Sequence, residues 1–272
     1  MDQEQPMDAS VAPLLLEVLD NQGVLTLTLN RPDQFNPLSE SMLAALQHAL
    51  DTIQPQTRVV VIAATGRAFC AGHDLKEMRA HADTHTGGEA WQRALFEKCS
   101  RFMQTLVNIP QPVIARVQGL ATAAGCQLVA NCDLAIAADD CKFGVSGINL
   151  GLFCSTPSVA LSRNLSRKRA FQMLMTGEFI NAQQAVEWGL LNRCVPAAEL
   201  DEAVDRLCHE ICSKSQVAVA TGKNLFYQQI EKPMNEAYDL AGAAMACNMM
   251  SDDAKEGIDA FFEKRSPEWK NS

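Results

Sequence analysis

The sequence predicts an α/β fold in which stacked strand-and-helix turns give way to a purely helical C-terminal region. Three observations predict it. Short apolar runs centre near residues 26, 61, 115 and 135, and their length and β-prone composition read as buried strands. Each run is followed by a loop of small residues before helical patterning resumes, the alternation expected of strand-and-helix layers. Their spacing is too irregular for a fixed-period solenoid. After Pro196 only helical patterns remain.

The elements follow in order. Leu14 to Leu19 and Val24 to Leu29 flank Asp20-Asn21-Gln22-Gly23, a hairpin signal. Ser39 suits the N-cap of an amphipathic helix over Met42 to Ile53, with Leu43, Leu46 and Leu50 on one stripe. A buried strand is expected at Val59 to Ala63, then a glycine-bearing loop, Gly66 to Lys76, in which Asp74 caps a short helix. His81 to Gly88 is polar and turn-rich, a mobile loop ahead of a helix from Trp91 to Asn108. Val113 to Val117, the Gln118-Gly119 turn and a run of small residues read as strand, tight turn and buried helix start. Asp133 to Ala137 is a strand and Phe143 to Gly147 a loop. Helices are expected near Ser155 to Leu165, Lys168 to Thr176 and Ala182 to Trp188, the last capped by Asn181, before a short strand at Arg193 to Val195. Leu200 to Cys212, Val217 to Gln229, Met234 to Met250 and a piece carrying Phe261 and Phe262 complete the chain. An apolar helical tail with few partners of its own invites packing on a neighbouring subunit.

Composition narrows the function. With 47% hydrophobic and 20% charged residues the chain is an ordinary folded protein, and its net charge of −9 argues against general nucleic-acid binding. No run approaches a membrane span, and Met1 to Pro6 has neither signal nor transit character, which sets a cytoplasmic expectation. Ten cysteines scattered through apolar segments read as reduced core residues. Cys208-His209-x-x-Cys212 is half a zinc site at best and is better read as helix packing, so no metal is expected.

The chemistry centres on Leu120 to Leu128. A helix N-terminus presents unpaired backbone N–H groups and the positive end of its dipole, and a small-residue entry leaves them open to an anion or to an oxygen that becomes one.

Ala68-Phe69-Cys70-Ala71-Gly72-His73-Asp74-Leu75-Lys76, Gly119 to Asp133 and Phe143-Gly144 together resemble the enoyl-CoA hydratase/isomerase (crotonase) superfamily. The likeness runs from Val24 to Trp269 and includes Thr176-Gly177-Glu178 and Gly257 to Arg265. Cys126 to Ala130 with Gly151 to Pro157 looks most like a divergent branch, the enoyl-CoA hydratase domain-containing proteins. The resemblance implies a spiral of ββα units over residues 13–199 carrying an acyl-CoA site, a helical trimerisation region over 200–272, and an extended or disordered N-terminus over 1–12. It also implies a homotrimer or a dimer of trimers. The backbone N–H groups of His73 and Ala124 would receive the thioester oxygen, beside Ala71, Asp74 and Leu75. Arg67 and Lys76 would reach the CoA phosphates, and Phe261 and Lys264 would approach the adenine end from a neighbouring subunit.

Two departures bear on the reaction. Hydratases of this family resemble one another in two glutamates, and at those positions this chain has Gln127 and Gly147. Neither an amide nor a hydrogen can serve as a general acid or base, so the two-glutamate hydration mechanism is absent. Related isomerases place a carboxylate near Ser155, where this chain has none. Beyond the CoA moiety no cofactor is expected, although a bicarbonate or water beside Ser146, Gly147 and Gln127 could stand in for the missing base, as bicarbonate does in some family members. Cys154 is a weaker candidate, as a nucleophile assisted by His73, His81 or His85. The expected function is thus an acyl-CoA enzyme that stabilises a thioester oxyanion, the alternative being a CoA-thioester binding protein without catalysis.

Overall fold

A computed structural model describes residues 12–83 and 87–270. The N-terminal stretch 1–12 therefore falls, apart from Ala12, outside the described residues, and so does His85. The hairpin forms from β1 (Leu15–Leu19) and β2 (Val24–Leu29), with Leu15 opposite Leu29 and Leu19 opposite Leu25. The Asp20 carboxylate holds its turn by accepting from the Gln22 and Val24 amides, both at 2.8 Å. In α1 (Glu40–Asp51) the Ser39 hydroxyl accepts from the Met42 amide at 3.2 Å, and Met42, Leu43, Leu46, Ala49 and Leu50 are buried.

One plan then repeats: a strand in a large sheet, a strand in a small sheet, and a helix. Its first turn is β3 (Val59–Ala64), β4 (Ala68–Cys70), α2 (Leu75–Ala80) and α3 (Gly88–Asn108). The second is β5 (Val113–Val117), β6 (Leu120–Thr122) and α4 (Ala124–Asn131). The third is β7 (Leu134–Ala138), β8 (Lys142–Gly144), α5 (Ser155–Asn164) and α6 (Arg167–Thr176). Two further pieces, β9 (Ile180–Asn181) with α7 (Ala182–Trp188) and β10 (Arg193–Val195), lead to α8 (Leu200–Cys212), α9 (Gln216–Gln229), α10 (Met234–Asn248) and α11 (Asp252–Glu263). The large sheet has the order β1-β2-β3-β5-β7-β10 and the small one β4-β6-β8-β9. From β2 to β10 the large sheet is parallel. Every residue of β3 is buried, as expected of a parallel strand covered on both faces.

Expectation and structure differ at short elements. The segments 66–76 and 143–147, expected as loops, carry β4 and β8, and β6 forms inside the small-residue entry to α4. Three-residue strands are too short to show a period of two, so only the pairing of β4 with β6 and of β6 with β8 defines them. The helix expected from Trp91 begins at Gly88. Among the described residues no helix is long and apolar enough to cross a membrane.

Candidate functional site

The repeat brings the ends of β4, β6 and β8 side by side, and the candidate site lies where their chains leave the small sheet. After β4 the backbone turns at Gly72, which has φ +93°. A Cβ built there would stand 2.9 Å from the Ala123 Cβ and 3.2 Å from the Ala124 nitrogen. Only glycine permits both this conformation and this approach. The same fit recurs at the second residue of α4, where a Cβ on Gly125 would lie 2.2 Å from the Cys70 carbonyl oxygen. Two glycines thus press the chain after β4 against the first turn of α4.

Ala123 joins β6 to α4 with φ 50° and ψ −121°, a conformation that costs an alanine strain of about 1–3 kcal/mol. Its amide donates to the Gly144 carbonyl at 2.9 Å, which ties this junction to the end of β8. Among the described residues neither the His73 nor the Ala124 N–H donates to a backbone or side-chain acceptor. Ala124 opens the helix, where no intrahelical acceptor exists. Two free amides therefore flank the contact between Gly72 and Ala124, the arrangement that can hold an oxygen acquiring negative charge.

A loop missed by sequence reasoning frames His73. Asn36, fully buried, donates to the Thr65 and Ala68 carbonyls, both at 2.8 Å, and accepts from the Arg31 amide at 2.7 Å. The Ala71 amide donates to the Phe35 carbonyl at 3.0 Å, and the Leu38 amide to the Gly72 carbonyl at 2.8 Å. The Asn36-Pro37 dipeptide was the available signal, since Asn before Pro favours a turn. The His73 side chain joins this frame: Nδ1 lies 3.1 Å from the Leu38 carbonyl, so Nδ1 carries the proton and donates. Its ring meets Phe96 edge-on at 5.5 Å, and burial holds its pKa below the ordinary value, which favours the neutral imidazole.

The positions of the missing acids lie nearby and differ in kind. Gln127 is 4% exposed and its Oε1 has no hydrogen-bond partner. Gly147 sits in a tight turn over Ser146–Leu150, where a Cβ would fall 2.7 Å from the Leu152 carbonyl oxygen and 2.8 Å from Cys154 Sγ. Gln127 keeps the reach of a glutamate without its proton, whereas the place of a side chain at Gly147 is already filled. At the strand ends the Thr122 and Ser146 hydroxyls hydrogen-bond at 3.2 Å.

Cys154 packs against this turn, and burial raises its thiol pKa, which disfavours the thiolate. The imidazole of His73 is engaged with Leu38, and that of His81 is stacked on Trp91 at 4.1 Å with Nδ1 2.9 Å from the Glu77 carbonyl. The Ser155 hydroxyl turns to the Phe153 carbonyl at 3.3 Å. Asp74 caps α2, accepting from the Lys76 and Glu77 amides at 2.8 and 3.2 Å, which leaves Leu75 and Lys76 exposed on its first turn. Exposed Arg67 stacks over the Phe35 ring at 4.5 Å. Phe261 and Lys264 lie apart, at the exposed end of α11, which packs on α9. The structure thus gathers Ala71 to Lys76, Ala124, Gln127, Gly147 and Cys154, and does not bring Phe261 and Lys264 to them within one chain. Among the described residues no group of three His, Cys, Asp or Glu side chains is placed to hold a metal.

Comparison with known proteins agrees with this architecture. The sequence pattern of the family described as enoyl-CoA hydratase/isomerase matches residues 20–272. The chain is 42% identical over 267 residues to the Rattus norvegicus protein named enoyl-CoA hydratase domain-containing protein 3, mitochondrial, covering 97% of this chain and 87% of that one. It superimposes on the crystal structure of an enoyl-CoA hydratase from Mycobacterium smegmatis with a TM-score of 0.92 and 56% identity, over 94% of this chain and 99% of that one. On the crystal structure of human enoyl Coenzyme A hydratase domain-containing protein 3 the TM-score is 0.88 and the identity 43%, over 94% of this chain and 100% of the other.

These names overturn the cytoplasmic expectation. The rat protein and its Xenopus laevis, mouse, human and Danio rerio counterparts are all named mitochondrial. Six opening residues are too slender a basis for a compartment, because the folded body that follows has the same physical requirements in either one. By the motifs of its sequence, its paired ββα sheets and these likenesses, the chain has the crotonase fold and belongs to the enoyl-CoA hydratase/isomerase family.

Proposed function

We propose that this protein binds acyl-CoA thioesters and acts on them by stabilising a thioester oxyanion or enolate, without the two-carboxylate hydration chemistry. The observation that carries the reading is the pair of unengaged amides, His73 and Ala124, held together by Gly72 and Gly125. Polarising a thioester places negative charge on its oxygen, and each preorganised donor is worth on the order of 3 kcal/mol to such a charge. The amides are rigid because their neighbours are: Ala123 is pinned to β8 and His73 to the loop of Asn36. Arg67 and Lys76 would meet CoA phosphates, while Phe261 and Lys264 would serve a neighbouring copy in a trimer or a dimer of trimers.

Proton handling would fall to water. Gln127 Oε1 is buried without a donor, so the amide offers neither a proton nor an opening for an anion beside it. Bicarbonate therefore suits the place poorly, and it would compete for volume with the Leu152 carbonyl and Cys154.

A second reading, a CoA-thioester binding protein without turnover, is favoured by the filled space at Gly147, which leaves no room for a second acid. Titration with saturated and unsaturated acyl-CoAs, following binding and turnover with and without bicarbonate, separates the two. Turnover that needs no bicarbonate and falls by roughly 100-fold on Ala124→Pro, which removes one amide donor, is the expected outcome. Micromolar binding with no turnover above background would leave the binder. No binding of any CoA thioester would overturn both.

A further inference from the structure

Behind the His73 amide stands a buried side chain that the proposed chemistry does not itself use. Asn36 is fully buried and its polar atoms are all engaged. Its Oδ1 accepts from the Arg31 amide at 2.7 Å, and its Nδ2 donates to the Thr65 and Ala68 carbonyls, both at 2.8 Å. It does so from φ 51°, directly after Phe35 at φ 61°. Two consecutive left-handed residues, one of them a bulky phenylalanine, are strained, and such strain persists only where the surroundings over-determine it. Among the described residues Ala123, which precedes the second donor, is one of only two other non-glycine positions with positive φ.

The loop so fixed carries Leu38 to the site. Leu38 is fully buried, its amide donates to the Gly72 carbonyl at 2.8 Å, and its carbonyl lies 3.1 Å from His73 Nδ1. The Gly72 carbonyl and the His73 N–H belong to one peptide group, and none of the described peptide bonds is cis. In a trans peptide these two bonds point in opposite directions. By drawing the Gly72 carbonyl toward the loop, the Leu38 amide therefore aims the His73 N–H away from it. Hydrogen bonds in such a chain also polarise one another, so the same contact makes the His73 N–H a stronger donor.

We infer that Asn36 is a positioning residue for the oxyanion donor at His73, holding the loop from which the Leu38 amide sets the direction of the Gly72–His73 peptide. The inference rests on the acyl-CoA reading above and adds to it what aims one of the two donors. Glycine at position 36 keeps the left-handed backbone without strain and deletes the three side-chain hydrogen bonds, which isolates the contribution of the side chain.

The test is titration of the full chain with sorboyl-CoA, a dienoyl thioester whose absorption moves to the red as its carbonyl oxygen is polarised, and with free CoA, which has no thioester. In Asn36→Gly the red shift of the bound thioester should fall by about half and its affinity by about ten-fold, with the affinity for CoA held within about two-fold. Asn36→Asp, equal in size, still accepts from the Arg31 amide but when ionised has no donor for the two carbonyls, and it should behave alike. Lys223→Met, on α9 and outside the site, controls for lost stability alone and should keep the full red shift. An unchanged red shift in a folded Asn36 variant, or an equal loss in Lys223→Met, overturns the inference and leaves the acyl-CoA reading standing. Failure of both Asn36 variants to fold overturns it too, since Asn36 would then serve the fold and not the donor. Binding without a red shift in the unmutated protein, or no binding, overturns the oxyanion reading and the inference together.

Discussion

The charge of a single residue links His73 to pH. Its imidazole is buried, engages the Leu38 carbonyl through Nδ1 and has no partner at Nε2, so a second proton would sit buried on an unpaired nitrogen. Burial therefore lowers its pKa from the ordinary 6.5. In the unfolded chain the same imidazole is free to take up a proton near that value, so below it the unfolded state binds more protons than the native one. The sign follows: the contribution of His73 to stability is intact above pH 6.5 and is lost progressively as the pH falls toward the lowered folded value. Thermal melts between about pH 7 and pH 5 should show a steeper fall for the unmutated protein than for His73→Gln, which can still donate to Leu38 but does not titrate. Identical slopes would mean that the imidazole is solvated in the native state. Such a melt reads the ring alone, because the backbone N–H assigned to the thioester oxygen is the same in both proteins.

At the scale of elements, legibility in the sequence followed length and periodicity. The hairpin was readable from its turn, α1 and α7 because apolar spacing agrees with their Ser39 and Asn181 caps, and α5, α6 and α8 from apolar spacing alone. The strands β4 and β8 were not, since three residues define no period and only their neighbours hold them. In the candidate site the glycines and the helix start were legible as a motif. The filled space at Gly147 and the orphan oxygen of Gln127 were not, because both depend on residues brought in from other turns of the spiral. A buried cluster illustrates the same limit. Lys223 of α9 donates to the Leu106 and Gln111 carbonyls at 2.7 and 2.8 Å and pairs with Asp133 at 2.7 Å, and the Tyr227 hydroxyl donates to the other Asp133 oxygen at 2.7 Å. Asp133 also accepts from the Val113 amide at the start of β5. Here α9 is fastened to the spiral by a charge whose neutralisation is complete. Lys223→Met should cost about 3–5 kcal/mol in urea denaturation, since it strands a half-buried carboxylate, whereas Tyr227→Phe should cost about 1 kcal/mol. Equal, small losses would mean that Asp133 is hydrated and the fastening is apolar.

At the scale of the whole molecule, the question is what covers the helical end. The fifteen-residue helix α10 buries none of its residues within its own chain, and Met234, Tyr238, Met245 and Met250 are all more than 60% exposed on or just after it. Phe261 and Phe262 of α11 are 78% and 76% exposed. The C-terminal strap nevertheless holds α11 in a defined place, with the Trp269 indole donating to the Ser213 carbonyl at 2.8 Å and the Lys270 amide to Asp253 at 2.7 Å. A helix held in place with its apolar side in water is unfavourable in an isolated chain, and a second copy of the same surface is the simplest cover. Sedimentation equilibrium should accordingly give three or six times the 29.7 kDa chain mass. Tyr238→Glu with Met245→Glu places charge in that contact and should shift the species toward monomer while leaving the spiral's circular dichroism in place. The same variant should weaken CoA-thioester binding if Phe261 and Lys264 act across subunits, because neither reaches the site in its own chain. A monomer that binds acyl-CoA at undiminished affinity would remove both residues from the site and leave Arg67 and Lys76 to hold the nucleotide end alone.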